Sequence, residues 1–139
     1  MGTILALDVG TKTIGIARAR APLNIPQTLN TLARRSVRKD AHALAIVCGK
    51  EGATTVVVGL PYELNGNEGR SARLARQVGE ALGELTGLPI HYQDERFSTV
   101  EASRRLYAQG LSSREQRSRI DAAAAAVILE DWLESKTKG

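Results

Sequence analysis

Three acidic residues stand where an isolated carboxylate is costly. Asp8 closes the apolar run Thr3-Ile-Leu-Ala-Leu and is followed at once by Val9-Gly10-Thr11-Lys12, which reads as a turn. Glu95 comes just after Leu88-Pro-Ile-His-Tyr, between Asp94 and Arg96, and Asp121 stands between Ile120 and the apolar stretch Ala122 to Leu129. A charge in apolar surroundings must be paired, hydrogen-bonded or bound to a metal. If the fold gathers the three acids, they make a divalent-cation site in a basic chain, and that combination points to phosphodiester chemistry. Each acid also has a plainer reading. Asp8 could be a turn former bonded to the amides of Gly10 and Thr11. Glu95 could be a solvated partner of Arg96, and Asp121 a cap for the alanine run.

The composition favours an anionic partner. The net charge is +4, and fourteen of the nineteen cations are arginine, whose planar fork matches phosphate geometry. A merely soluble basic surface would give the same balance. Six arginines (Arg96, Arg104, Arg105, Arg114, Arg117 and Arg119) crowd into residues 96–119 against Glu101 and Glu115. That surplus lies between two of the three acids and reads as the rim of a groove that contacts a nucleic-acid backbone. Tyr107, in the same stretch, reads as packing rather than base stacking. Cys48 is the only cysteine, which excludes an intrachain disulfide and a cysteine-based zinc site and leaves a buried, inert thiol. The opening residues show no charged leader, and no apolar run approaches the length of a membrane span, so the expected location is cytoplasmic.

The elements that must position these groups follow from the apolar pattern. At 139 residues with 42% hydrophobic and only 4% aromatic content, the chain reads as a single domain, 1–139, with an aliphatic core and a frayed tail at 135–139. Thr3 to Asp8 and Thr13 to Arg18 form an antiparallel hairpin across the Gly10 turn. A third strand falls within Ile25 to Leu32. Ser36 caps a helix that carries Val37, Ala41, Leu44, Ala45 and Cys48 at helical spacing and ends at Gly49 or Gly52. Thr54 to Gly59 has the β-branched character of an interior parallel strand. After the loop Leu60 to Gly69 comes a helix with the stripe Ala75, Val78, Leu82 and Leu85, then a fifth strand at Leu88 to Gln93. Ser98 to Glu101 and Ser112 to Glu115 both fit the capping box, and the last helix runs from about Ser118 to Glu134. The sum is an α/β domain with a five-stranded mixed sheet, three strands antiparallel and two parallel, flanked by helices.

Four segments in this order resemble the YqgF/RuvX family of Holliday-junction-resolvase-like nucleases: Leu5-Ala-Leu-Asp-Val-Gly-Thr-Lys-Thr-Ile-Gly-Ile-Ala17, Val58-Gly-Leu-Pro61 with Asn65-Gly66 and Gly69, Asp94-Glu-Arg-Phe-Ser-Thr99, and Ile120-Asp-Ala-Ala123. The resemblance covers nearly the whole chain. It implies an RNase H-like fold and a catalytic triad of Asp8, Glu95 and Asp121 holding Mg²⁺ or Mn²⁺, with a two-metal site in which Asp8 bridges both ions. Two such ions about 3.5–4 Å apart serve an in-line displacement at phosphorus. Related nucleases often carry an acid where this chain has Gly59-Leu60-Pro61, so Glu63 is a candidate to support the ligands from behind and Asp94 competes with Glu95 as the second ligand. The expected nucleic-acid contacts are Lys12, Arg70 and Arg73 at the opening of the second helix, and the six arginines above. The expected activity is endonucleolytic, on branched DNA or on the precursor of 16S rRNA, and a homodimer would suit junction cleavage. Two alternatives stay open: a nucleotide-binding module of the actin and sugar-kinase type, suggested by Asp8-Val-Gly-Thr-Lys, and a non-catalytic nucleic-acid-binding factor.

Overall fold

The computed structural model describes residues 2–62, 66–95 and 98–138, apart from the side chains of residues 98, 99, 113–118, 137 and 138. Its elements run β1 (Thr3–Val9), β2 (Thr13–Arg20), β3 (Gln27–Thr28), β4 (Leu32–Ala33), α1 (Val37–Glu51), β5 (Ala53–Leu60), α2 (Arg70–Thr86), β6 (Ile90–Asp94), α3 (Ser98–Ala108) and α4 (Ser113–Lys138). One sheet has the order β3-β2-β1-β5-β6, with β4 also on β2. β1 pairs antiparallel with β2 and parallel with β5, which pairs parallel with β6. β1 is therefore central, and Asp8 lies near its C-terminal end, opposite Gly15.

Alternation along β1 divides the core in two. Leu5, Leu7 and Val9 face one side with Ile14, Ile16, Val56, Val58 and Leu60, where α1 and α2 cover them. Ala6 points to the other face with Ala17, Ala19 and Val57, and α4 packs there through Ala125, Ile128 and Leu129. Period-two geometry puts Asp8 on this second face, in line with Ala6. The face is paved with small side chains, so the helix lies close to the strands. A Cβ on Gly15 would collide with the backbone of Asp121 and Ala122. On α4, residues 121, 125, 128, 129 and 132 recur at helical spacing, so the stripe that seals this face begins with Asp121.

Local chemistry sets the helix ends. The Ser36 hydroxyl accepts from the Lys39 amide at 3.2 Å, and Gly52 closes α1 in the left-handed region at φ 67°. Gly87 does the same for α2 at φ 71°. Cys48 is buried, and burial pushes its thiol pKa up, in keeping with an inert role.

Four details differ from the sequence reading. The third strand is two short pieces, β3 and β4, both on β2, which makes six strands among the described residues rather than five. Pro26 has no amide to donate, and between the pieces only the Leu29 amide is bonded to β2, at 2.8 Å to Ile16 O. The last helix begins at Ser113 rather than near Ser118, because no glycine or proline interrupts residues 113–121. Its helical backbone continues to Lys138, past the start of the 135–139 segment expected to fray. Leu85 is 46% exposed rather than part of the buried α2 stripe: it sits in the last turn, on a shallow groove beside Val37, Ala41 and His42.

Candidate nuclease site

β1, the β5–β6 edge and α4 bring the three acids to one end of the α4-covered face. Asp8 arrives on the central strand. The Glu95 amide donates to Leu60 O at 3.1 Å, extending the β5–β6 pairing by one residue and carrying the Glu95 side chain inward. Glu95 is only 7% exposed, which rules out the solvated reading. Gly59 makes the room: a Cβ there would meet Glu95 Cδ at 2.8 Å and Glu95 Oε2 at 2.9 Å. Asp121 lies well inside α4 rather than at its cap, and the Thr13 hydroxyl donates to its Oδ2.

Asp8 and Glu95 are in side-chain hydrogen-bond contact. The Asp8 pKa is raised above the ordinary carboxylate value, mainly by burial, with the charge of Asp121 adding to the rise and the bond to Glu95 opposing it. The turn reading of Asp8 loses its Gly10 partner, since the Gly10 amide donates to Thr13 O at 2.8 Å.

Among the described residues, no three His, Cys, Asp or Glu side chains are gathered as a finished metal-ligand set. The acids are linked in pairs instead: Asp8 to Glu95 by a hydrogen bond, Asp8 to Asp121 by charge, and Asp121 to Thr13. The donors are all hard oxygens, and a buried acid beside two others is electrostatically incomplete without a cation. The residues therefore fit Mg²⁺ or Mn²⁺ chemically.

A clamp that sequence reasoning missed stands behind the Asp8 turn. Arg34 donates through Nε to Asp40 Oδ2 at 2.5 Å and through Nη1 to Gly10 O at 3.2 Å. The Arg34 amide bonds Lys12 O at 2.8 Å, and Asp40, 4% exposed, also accepts from the Arg35 amide at 2.9 Å. This ties α1 to the loop that follows Asp8. Only the acid in the first turn of α1 was a signal, and an N-terminal aspartate ordinarily reads as a response to the helix dipole.

The cationic residues divide into two groups. Lys12, Arg70, Arg73 and Arg119 are exposed. Arg104 pairs with Glu101 through two bonds of 2.9 and 2.7 Å, and Arg105 pairs with both Glu101 and Glu130. These arginines hold the Glu101 carboxyl down to about 2. Part of the arginine surplus is thus matched within the protein, with Glu130 a partner absent from the local count. Arg96, Glu63 and Asn65, and the side chains of Arg114 and Arg117, lie outside the described residues. Asp94 ends β6 and is exposed, so Glu95 is the acid that β6 delivers inward. Tyr107 is 76% exposed, contrary to the packing reading.

Among solved structures, Thermus thermophilus RuvC aligns with 98% of this chain and 96% of its own at TM-score 0.61 and 13% identity. Fowlpox virus resolvase, solved with Holliday junction DNA, aligns with 96% of this chain and 98% of its own at TM-score 0.62 and 11% identity. Both share the RNase H-like architecture. A protein of Anaeromyxobacter sp. (strain K), provisionally named pre-16S rRNA nuclease, is 45% identical over 132 residues, covering 95% of this chain and 96% of that one. A relative of Moorella thermoacetica with the same provisional name is 41% identical, covering 94% of each. Residues 2–135 match the RuvX family, described as Holliday junction resolvase. With that match on a sheet whose acids converge beneath α4, the chain belongs to the RuvX family.

Proposed function

We propose that this protein is a divalent-metal-dependent endonuclease whose hydrolytic site is built from Asp8, Glu95 and Asp121. The observation that carries the reading is the contact between half-buried Asp8 and buried Glu95, within reach of the charge on Asp121. A fold has no structural reason to bury mutually repelling acids at a strand end, and perturbed acids of this kind mark functional sites. Asp8 and Glu95 would hold the cation together, with Asp121 completing its oxygen ligands. When bound, Mg²⁺ or Mn²⁺ supplies Lewis-acid stabilisation at phosphorus and a water of lowered pKa. The protein's own part is positional. Thr13 orients Asp121, Gly59 admits Glu95, and the Arg34–Asp40 clamp fixes the turn after Asp8. Lys12, Arg70, Arg73 and Arg119 supply exposed charge for backbone phosphates, which fixes register without reading sequence.

The preferred substrate in this proposal is the precursor of 16S rRNA, in keeping with the names of the relatives above 40% identity along nearly their full length. The family description supports junction DNA as the second reading. A cleavage panel on precursor rRNA and four-way junctions, with Mg²⁺ or Mn²⁺ and with chelator, tests both. Metal-dependent cutting of the RNA supports the first reading, and cutting of junctions alone moves the assignment to the second. Chelator-resistant cutting refutes the metal role.

A further inference from the structure

A cleft of about 510 Å³ opens between the β3–β4 segment and the α3–α4 pair, and Ala122, the residue after Asp121, is part of its lining. Its floor is formed by three alanines of α4, Ala122, Ala123 and Ala126. One wall carries Thr28, Asn30 and Thr31 from the β3–β4 segment, and the other carries Arg105, Gln109 and Arg119. Arg105 is held in place by Glu130 at 3.1 Å and by Glu101 at 3.2 Å. The volume lies in the range of small-ligand sites, about 300–1,000 Å³.

We infer that this cleft receives a single unpaired base of the substrate strand, next to the phosphate that the acids address; this rests on the nuclease reading above. The lining carries two cations, Arg105 and Arg119, against one acid, Glu130, and Arg105 is paired with Glu130 at 3.1 Å; the rest is amide, hydroxyl and small apolar surface of the kind a base uses. Asn30, Gln109 and the threonines offer donors and acceptors to a base edge, and Glu130 accepts from an exocyclic amine. Guanidinium planes stack on exposed bases, and small apolar side chains let a ring lie flat. Arg119, two residues before Asp121 on α4, adds a cation to the lining for the adjoining phosphate. An unpaired nucleotide can enter such a cleft without the cost of breaking a pair, so the pocket selects strands with a looped or frayed position.

The test uses two RNA hairpins identical in stem and cleavage position, one with an unpaired adenine beside that position and one with an abasic ribose there. The wild-type protein is expected to favour the base-bearing RNA by about 10-fold in kcat/KM. Ala123→Leu, which fills the floor, is expected to bring the ratio near one, and Gln109→Ala, which adds no bulk, to lower it by about 3-fold. A third hairpin carries 2-aminopurine at the unpaired position and is titrated in Ca²⁺, so that its emission reports entry without cleavage. Equal use of the two RNAs by the wild type, or a preference that survives Ala123→Leu, overturns the inference. If neither RNA is cut but the emission change is present in the wild type and lost in Ala123→Leu, the cleft stands and the RNA-cleaving reading falls. An emission that does not change on wild-type binding overturns the cleft whatever the cleavage result.

Discussion

Replacing Asp8 by asparagine is expected to stabilise the metal-free protein while removing its activity. In the folded state Asp8 is half-buried, touches Glu95 and feels Asp121. Two like charges about 4 Å apart at an effective dielectric constant of about 20 repel by roughly 4 kcal/mol. Retaining a proton relieves part of this, at about 1.4 kcal/mol for each pH unit above the folded pKa. Asparagine removes one charge and can still hydrogen-bond Glu95, so the gain at neutral pH is about 1–3 kcal/mol. The folded Asp8 pKa is raised, so the unfolded chain binds fewer protons than the native one above the unfolded value of 3.8. The Asp8 penalty is therefore absent below that value and grows as pH rises through the folded pKa. Urea unfolding of both proteins at about pH 4 and pH 7 should show the variant's advantage only at the higher pH. Saturating Mg²⁺ should reverse the order, since only the wild type gains binding energy in the native state. An Asp8→Asn variant less stable than wild type at neutral pH without metal would refute the electrostatic reasoning.

Further outcomes follow from the packing around the site. Gly59→Ala forces a methyl against Ile128 Cδ1 at 2.5 Å and against Glu95, so it should cost about 1–3 kcal/mol in urea unfolding and reduce cleavage more than its stability loss explains; normal turnover would show that Glu95 need not hold its place. Asp40→Asn leaves Arg34, 10% exposed, without its counter-charge and should cost about 3–5 kcal/mol; a urea-unfolding loss below about 1 kcal/mol would deny the clamp. Because Asp8 keeps its proton to higher pH than an ordinary carboxylate, Mn²⁺ affinity should fall as pH falls through that raised value, with protons released on binding. Calorimetry in two buffers of different ionisation enthalpy measures that release, and pH-independent affinity without release would contradict it.

The fold is largely legible in the sequence because its strongest signals are local. The β-branched run at β5, the Ser36 cap and the Gly10 turn each specify their element without help from distant residues. Asp8 stands out by closing an apolar strand, and the motif context supplies its two companions. Less legible is whatever depends on contacts across the molecule. Gly15 and Gly59 look like ordinary strand glycines until α4 and Glu95 are laid over them. Thr13 gains meaning only through Asp121, 108 residues away, and Arg34 and Asp40 only through the turn they hold. The start of α4 is hidden because Ser113 to Ile120 are compatible with helix but lack the apolar character of the alanine run that follows. The 25–33 segment is harder still, since its two short strands depend on β2 rather than on any period of their own. Tyr107 misleads for a related reason: a lone aromatic on a short helix does not declare which way the helix is turned.

That Asp8, Glu95 and Asp121 share a catalytic cation is tested most directly by anomalous diffraction from Mn²⁺-soaked crystals. Manganese bonded to carboxylate oxygens of all three residues is the expected result, with the peak lost in Asp8→Asn crystals. Manganese bound elsewhere, in a protein that still cuts nucleic acid, would contradict it.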